Sequence, residues 1–332
     1  MPDSSGIMFF FIPLVAIGIS GIEVLIISRG MGVSIRYIEI FGFMEVAFLI
    51  IASFLMIFHG TSYFSGNSGS FFGSGFWEGT LFGVLMFSGL GSSIFISENT
   101  KNSRVMTGRS IMIAYLVTGA AMVFASYAVQ SFIGPDITGY NGNPFVLITL
   151  IRSGFGGLFM DIFIFFALMS SANLVISYLN AFRNSVIRMS RDGILRSEKI
   201  GNGKLSALYL LMFSINGILV ISFYFTLGSF AGFVILSGTV SLLFLSIHSI
   251  SNITLSVHSF SYREISGIII PPASTAFLAV IMVMSLTGSG IETVITDAFF
   301  ALLVSASLLF VAVLKIYRKN QYSVIDFIEN AQ

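Results

Sequence analysis

The sequence places polar side chains that could do chemistry inside long apolar stretches. Glu45 lies amid Phe43, Met44 and Val46, and Ser170-Ser171-Ala172-Asn173 lies in the middle of another apolar run. Carboxylate, amide and hydroxyl groups at such positions can bind a proton, a cation or a polar substrate. They can equally hydrogen-bond to a neighbouring helix. Both interpretations stay open for Glu45 and for the group Ser170, Ser171 and Asn173, which we predict as a polar cavity or a site for a coupling ion.

A third stretch, Phe87–Asn102, is apolar but is interrupted by glycines and serines before it runs into a polar loop. Glycine destabilises a helix by about 1 kcal/mol relative to alanine, so this pattern predicts local unwinding. Non-helical backbone at membrane depth occurs only where it is buried in protein or lines a watery cavity. We therefore predict a substrate site here. The predicted residues are Phe87, Ser88, Gly89, Leu90, Gly91 and Ser92.

The composition indicates what kind of elements must hold these side chains. Of the 332 residues, 55% are hydrophobic and only 9% are charged, whereas soluble domains are about 25% charged. The chain is predicted to be an all-α polytopic membrane protein with about nine transmembrane helices, each of about 20 apolar residues. The predicted spans are 7–28, 37–58, 80–97, 109–133, 157–182, 205–227, 229–251, 265–287 and 293–316.

The basic residues predict the orientation of these spans. Fifteen of the sixteen Lys and Arg residues fall in one alternate set of loops, and only Arg152 falls in the other set. Because basic residues collect in cytoplasmic loops, we expect a cell-membrane protein with its N-terminus outside and its C-terminus in the cytoplasm. Glu23 then lies close enough to the cytoplasmic end of its span to be solvated. Glu292 and Asp297 open the last span at its outer end, where acidic residues stabilise a helix N-terminus.

The two long external loops have different predicted roles. Residues 59–79 hold Phe71, Phe72, Phe76 and Trp77, which favours an aromatic segment lying at the membrane interface over a flexible linker. Residues 134–156 combine turn residues with an apolar run and are predicted to form a lid over an outward-facing vestibule.

The sequence also argues against several classes of function. There is no cysteine, there are three scattered histidines, and the net charge is +1, so we expect no metal site, no organic cofactor and no nucleic-acid partner. The motifs of metalloproteases, nucleotide-binding loops and serine hydrolases do not occur. We therefore expect the chain not to be an enzyme, and its partners to be the lipid bilayer and a small molecule.

Three segments resemble the amino acid–polyamine–organocation superfamily of secondary transporters. Phe87…Gly89-Leu90-Gly91…Glu98-Asn99-Thr100-Lys101-Asn102 is similar to the family's sixth span, which commonly reads F-x-G-F-E and then E-E-x-K-N-P. Leu179-Asn180-Ala181…Arg191-Asp192-Gly193 resembles the end of the eighth span. Gly32-Val33-Ser34-Ile35-Arg36 resembles the loop between the fourth and fifth spans. Two positions depart from the pattern: Gly91 stands where the family has an acidic residue, and Ser103 where it has proline.

The resemblance implies that the nine spans correspond to the fourth to twelfth of the family. Members are built from two inverted five-helix repeats (5+5) and two additional C-terminal helices. A single membrane domain would then contain a remnant of the first repeat (7–58), the second repeat (80–251) and the two extra spans (265–316). The broken helix at Ser88–Ser92 would offer backbone N–H groups to a carboxylate.

The function that the resemblance implies is secondary active transport of amino acids or related amines by alternating access. Coupling to a proton or a sodium ion is expected, and Glu45 is the candidate coupling group because Gly91 lacks a carboxylate. The alternative is a transport-incompetent truncated permease, or one half of a split transporter whose missing first three spans come from a separate chain.

Overall fold

The computed structural model describes residues 4–60, 74–87, 102–134, 146–191, 206–262, 265–287 and 290–317, and these residues form ten α-helices without a strand. The helices are α1 (Ser4–Ser28), α2 (Met31–His59), α3 (Ser74–Phe87), α4 (Ser103–Ile133), α5 (Val146–Phe155), α6 (Gly157–Arg191), α7 (Ser206–Leu227), α8 (Ser229–Tyr262), α9 (Ile265–Leu286) and α10 (Ile291–Tyr317).

Seven of these helices are long and apolar enough to cross a membrane: α2, α4, α6, α7, α8, α9 and α10. Their surfaces carry exposed large apolar side chains along much of their length, and Phe43, Phe58 and Leu158 are each more than three-quarters exposed. Water-soluble proteins rarely expose continuous apolar surface of this extent. The chain is therefore a helical membrane protein that crosses the bilayer several times, as its composition predicts.

The remaining two predicted spans are matched less completely. The first, 7–28, falls within α1, of which residues 13–28 form a shorter apolar helix. The third, 80–97, coincides with α3 only as far as Phe87, and its remainder lies outside the described residues. The total of nine spans and the inverted repeat stay predictions.

Several helices extend beyond the predicted apolar limits. Helix α2 begins at Met31, so Gly32–Arg36, which we compared with a loop, are helical. Helix α3 begins at Ser74, so Phe76 and Trp77 are helical rather than part of the preceding loop. Polar residues continue a helix readily once its apolar part has nucleated it. The length of an apolar run therefore underestimates the length of the helix that contains it.

Helix α5 lies within the predicted external loop 134–156. Its residue Ile151 is fully buried against Met56 of α2 and Ala128 of α4, so this helix packs on its neighbours through one apolar face. Gly156, with φ 87°, separates α5 from α6, and its N–H donates to the Arg152 carbonyl at 3.0 Å. This left-handed glycine ends α5 with a hydrogen bond typical of helix C-termini. The lid role of the loop stays a prediction.

The chain divides into two compact units. The first comprises Met1–Ser68 and Phe87–Gly232 and contains α1, α2, α4, α5, α6 and α7. The second comprises Gly69–Met86 and Phe233–Gln332 and contains α3 as far as Met86, most of α8, and all of α9 and α10. In the first unit α2 packs on α4 and α6, and α1 packs on α6 and α7. In the second unit an apolar core joins Leu81 of α3, Leu242 and Leu245 of α8, and Ile281 of α9.

Candidate functional site

Glu45 and Asn173 meet in the first unit, each near the middle of its helix. The Asn173 amide Nδ2 donates a hydrogen bond to Glu45 Oε1, and the hydroxyl of Ser170 also hydrogen-bonds to the Glu45 side chain. Asn173 is only 6% exposed. Its other amide atom, Oδ1, is buried and has no hydrogen-bond partner among the described residues. A carboxylate, an amide and a hydroxyl are thus gathered between α2 and α6.

A second polar contact joins the same two helices. Ser34 of α2 and Asn180 of α6 are both fully buried. The Ser34 hydroxyl lies 3.2 Å from Asn180 Oδ1 and accepts from Asn180 Nδ2 at 3.0 Å. We call Ser34, Glu45, Asn173 and Asn180 the polar seam. Seven residues separate Asn173 from Asn180, which is two helical turns, so both amides lie on one face of α6.

Helix α1 brings further polar groups to the first unit. Glu23 is buried, with 4% of its surface exposed, so the expectation that it would be solvated is wrong. Tyr37 of α2 interacts electrostatically with both Glu23 and Glu45, and its hydroxyl contacts the Met169 sulfur at 3.4 Å. Burial of Glu23 follows from the packing of α1 on α2, α6 and α7, which a position along an apolar stretch does not reveal.

The remaining predicted site residues are only partly placed. Ser171 is exposed, and its hydroxyl donates to the Ala167 carbonyl of its own helix at 3.0 Å. It therefore satisfies its own backbone rather than the seam. Phe87 ends α3 and packs on Tyr115 of α4, with ring centroids 4.8 Å apart. The other predicted substrate residues lie outside the described part of the chain: Ser88, Gly89, Leu90, Gly91 and Ser92.

The sequence interpretation missed a cavity in the second unit. Glu292 and Asp297, which we expected to serve only the start of the last span, line this cavity together with Thr293 and Thr296. The signal was available in the sequence, because positions 292, 293, 296 and 297 share one face of a helix. Acidic residues at a helix start also have an ordinary structural explanation, so the pattern alone does not identify a cavity.

The polar groups of the first unit suit hydrogen bonding and proton or cation binding. Within the described ranges, no three His, Asp or Glu side chains are grouped as they would be around a metal ion. The polar seam offers one carboxylate, that of Glu45, together with neutral oxygen and nitrogen groups. Comparison of the chain with protein-family models, with curated proteins and with solved structures found no match.

Proposed function

We propose that the chain is a secondary active transporter of amino acids or related amines, which works by alternating access and is driven by an ion gradient. The observation that carries the proposal is the contact between Glu45 and the buried Asn173 in the middle of two membrane-spanning helices. Ionisable groups at that depth are rare and commonly lie on ion or substrate pathways. The resemblance of the Phe87–Asn102 stretch to a transporter span supports the choice of substrate class.

The chemistry of the pair suits a group that binds and releases a proton. An amide is both a donor and an acceptor, so Asn173 can donate to an ionised Glu45 through Nδ2. After rotation of its amide it can accept from a protonated Glu45 through Oδ1. The Ser170 hydroxyl can reverse its role in the same way. The neighbours of Glu45 thus stabilise both protonation states, and a proton can leave or arrive without leaving the carboxyl group unpaired.

The same groups also fit a sodium ion. Carboxylate, amide and hydroxyl oxygens are all ligands for a hard cation, and Asn173 Oδ1 has no other partner among the described residues. A proton and a sodium ion are therefore the two candidates for the coupling ion, and the experiment below distinguishes them.

The proposal predicts gradient-driven uptake by the purified chain in liposomes. Labelled amino acids and amines would be offered under an imposed pH gradient in one arm and an imposed sodium gradient in the other. Uptake in the first arm alone identifies a proton, and uptake in the second alone identifies sodium. If folded protein takes up none of a broad substrate panel under either gradient, the proposal is wrong.

The Glu45→Gln variant tests the coupling role itself. It should lose gradient-driven uptake but keep exchange of labelled for unlabelled substrate, because exchange needs no net ion movement. Glu39→Gln is the matched control, since Glu39 is exposed on the same helix. This variant should leave gradient-driven uptake unchanged. Full gradient-driven uptake by Glu45→Gln would exclude Glu45 as the coupling group.

A further inference from the structure

The second unit contains a cavity of about 520 Å³ with two chemically different walls. Leu81 and Phe82 of α3 and Leu242 of α8 form an apolar wall, and Glu292 and Asp297 of α10 form an acidic one. Small-molecule sites typically have volumes of about 300–1,000 Å³ and combine apolar walls with a few polar groups. The cavity therefore has the size and lining of a binding site for a small amphiphilic molecule.

Three of the hydroxyl groups around the cavity present acceptors rather than donors. Ser285 Oγ donates to the Ile281 carbonyl at 2.7 Å, and Thr296 Oγ1 donates to the Glu292 carbonyl at 2.8 Å. Thr287 Oγ1 donates in the same way to a carbonyl of its own helix end at 2.7 Å. A hydroxyl has one proton and two lone pairs, so these side chains have only acceptor capacity left for a ligand.

Asp297 adds an acceptor that nothing satisfies. Its Oδ1 is buried and has no hydrogen-bond partner in the part of the chain that the structure describes. A carboxylate oxygen without a donor is less stable than one that accepts a hydrogen bond. None of the described residues that line the cavity is basic. A ligand that brings a positively charged donor would relieve this deficit.

We propose that the cavity binds an organic ammonium compound with an apolar body. The ammonium group donates to Asp297 and Glu292, and the apolar body packs against Leu81 and Phe82. A zwitterionic amino acid fits less well, because its own carboxylate would face two acidic side chains with no basic residue nearby. The site shares no residue with the polar seam, and its occupation is a separate property from transport.

Equilibrium binding to the purified full chain in detergent tests this inference. The probe is radiolabelled 2-phenylethylammonium, and the competitor is phenylalanine, which has the same ring and an added carboxylate. We expect saturable binding of the amine, with phenylalanine competing at least about tenfold less well, because its carboxylate would lie near two acidic side chains.

Two substitutions locate the site. Asp297→Asn and Glu292→Gln should each raise the Kd of the amine at least about tenfold, because each removes one charge that the ammonium group contacts. Asp161→Asn and Glu39→Gln are matched controls at exposed positions of α6 and α2, and both should leave the Kd unchanged. Folding of each variant is checked by its size-exclusion profile and helical circular dichroism.

Three results would overturn the proposal. They are no saturable binding to the folded wild-type chain, an unchanged Kd in Asp297→Asn, and a rise in Kd in Asp161→Asn equal to that in Asp297→Asn. If Asp297→Asn does not fold, Glu292→Gln decides by the same criteria. A failure of transport in liposomes leaves these results untouched, so the two proposals fail separately.

Discussion

Both units have carboxylates in membrane-spanning helices, but the hydrogen-bonding surroundings of these carboxylates differ. In the first unit, Glu45 is met by donors from another helix, Asn173 and Ser170, and the contact helps to join α2 to α6. In the second unit, the Thr296 hydroxyl beside Asp297 donates to the backbone of its own helix, and one Asp297 oxygen has no partner among the described residues. Donors that converge on a carboxylate make a contact between helices, whereas acceptors around an open cavity leave the carboxylate available to a ligand.

The cross-helix hydrogen bonds follow the same contrast. In the first unit, Asn180 Nδ2 lies 3.0 Å from Ser34 Oγ, and Asn216 Nδ2 lies 2.6 Å from Ser20 Oγ. In the second unit, the described cross-helix contacts are longer, 3.5 Å from Thr239 Oγ1 to the Thr296 carbonyl and 3.9 Å from Ser246 Oγ to a methionine sulfur. The first unit should therefore lose more stability when a polar side chain is removed. Four comparisons, each with a control variant, test this difference in stability between the two units, from the largest expected effect to the smallest.

Removing the amide from the seam should have the largest effect. Among the described residues, Asn173→Leu leaves the Glu45 carboxylate with only the Ser170 hydroxyl. We expect the free energy of unfolding in mixed micelles to fall by about 2–3 kcal/mol. The double variant Glu45→Met with Asn173→Leu should recover to within about 1 kcal/mol of wild type, because replacing both partners by apolar groups is nearly neutral.

Asn216→Leu is the control for that pair. It makes the same change opposite a neutral hydroxyl, so its loss should be about 1 kcal/mol. The opposite result is a double variant that loses as much free energy of unfolding as the two single variants added together. In that case Glu45 and Asn173 do not interact, and their contact does not stabilise the protein.

A comparison of two glycines tests how tightly each unit is packed. A Cβ at Gly60 would lie 2.7 Å from the backbone oxygen of Ser131, which cannot move away easily, whereas a Cβ at Gly238 would lie 3.0 Å from the end of the Thr296 side chain. Gly60→Ala should lower the free energy of unfolding by about 2 kcal/mol. Gly238→Ala should change it by less than about 1 kcal/mol, because alanine's helix preference offsets the contact. Equal losses of unfolding free energy in Gly60→Ala and Gly238→Ala would contradict the proposed difference in packing between the units.

Much of the membrane architecture could be predicted from the sequence, for a physical reason. A bilayer requires long apolar helices, so residues such as those of α2, α6 and α8 must appear as continuous apolar runs. A hydrogen bond from Glu45 to a neighbouring helix was one of two alternatives, and its pairing with Asn173 was not predicted. Their separation in sequence is 128 residues, and a single sequence does not encode which helices are neighbours.

The features that sequence reasoning missed depend on tertiary packing. Glu23 is buried because α1 packs on three helices, and the cavity at Asp297 exists because α3, α8 and the start of α10 leave space between them. Neither fact follows from local apolar pattern. Helix α5 was missed because ten residues are too few for a span, although its apolar face is buried against α2 and α4.

A smaller loss is expected at the second polar contact of the seam. Ser34→Ala removes the partner of the buried Asn180 amide and should lower the free energy of unfolding by about 1 kcal/mol, the usual value for a hydrogen bond between membrane helices. Ser28→Ala is the control, since the Ser28 hydroxyl is exposed and donates to the Leu25 carbonyl of its own helix. Comparable losses in both variants would show that the cross-helix contact adds nothing.

The smallest effect is expected at Trp77, which packs against the apolar core of the second unit. Its indole Nε1 is buried and has no hydrogen-bond partner among the described residues. Trp77→Phe removes an unsatisfied donor together with some packing area. These two changes oppose each other, so the free energy of unfolding should change by less than about 1 kcal/mol. Leu81→Ala in the same core sets the scale, with an expected loss of about 2–4 kcal/mol. If Trp77→Phe loses as much stability as Leu81→Ala, the two changes do not offset each other and this prediction is wrong.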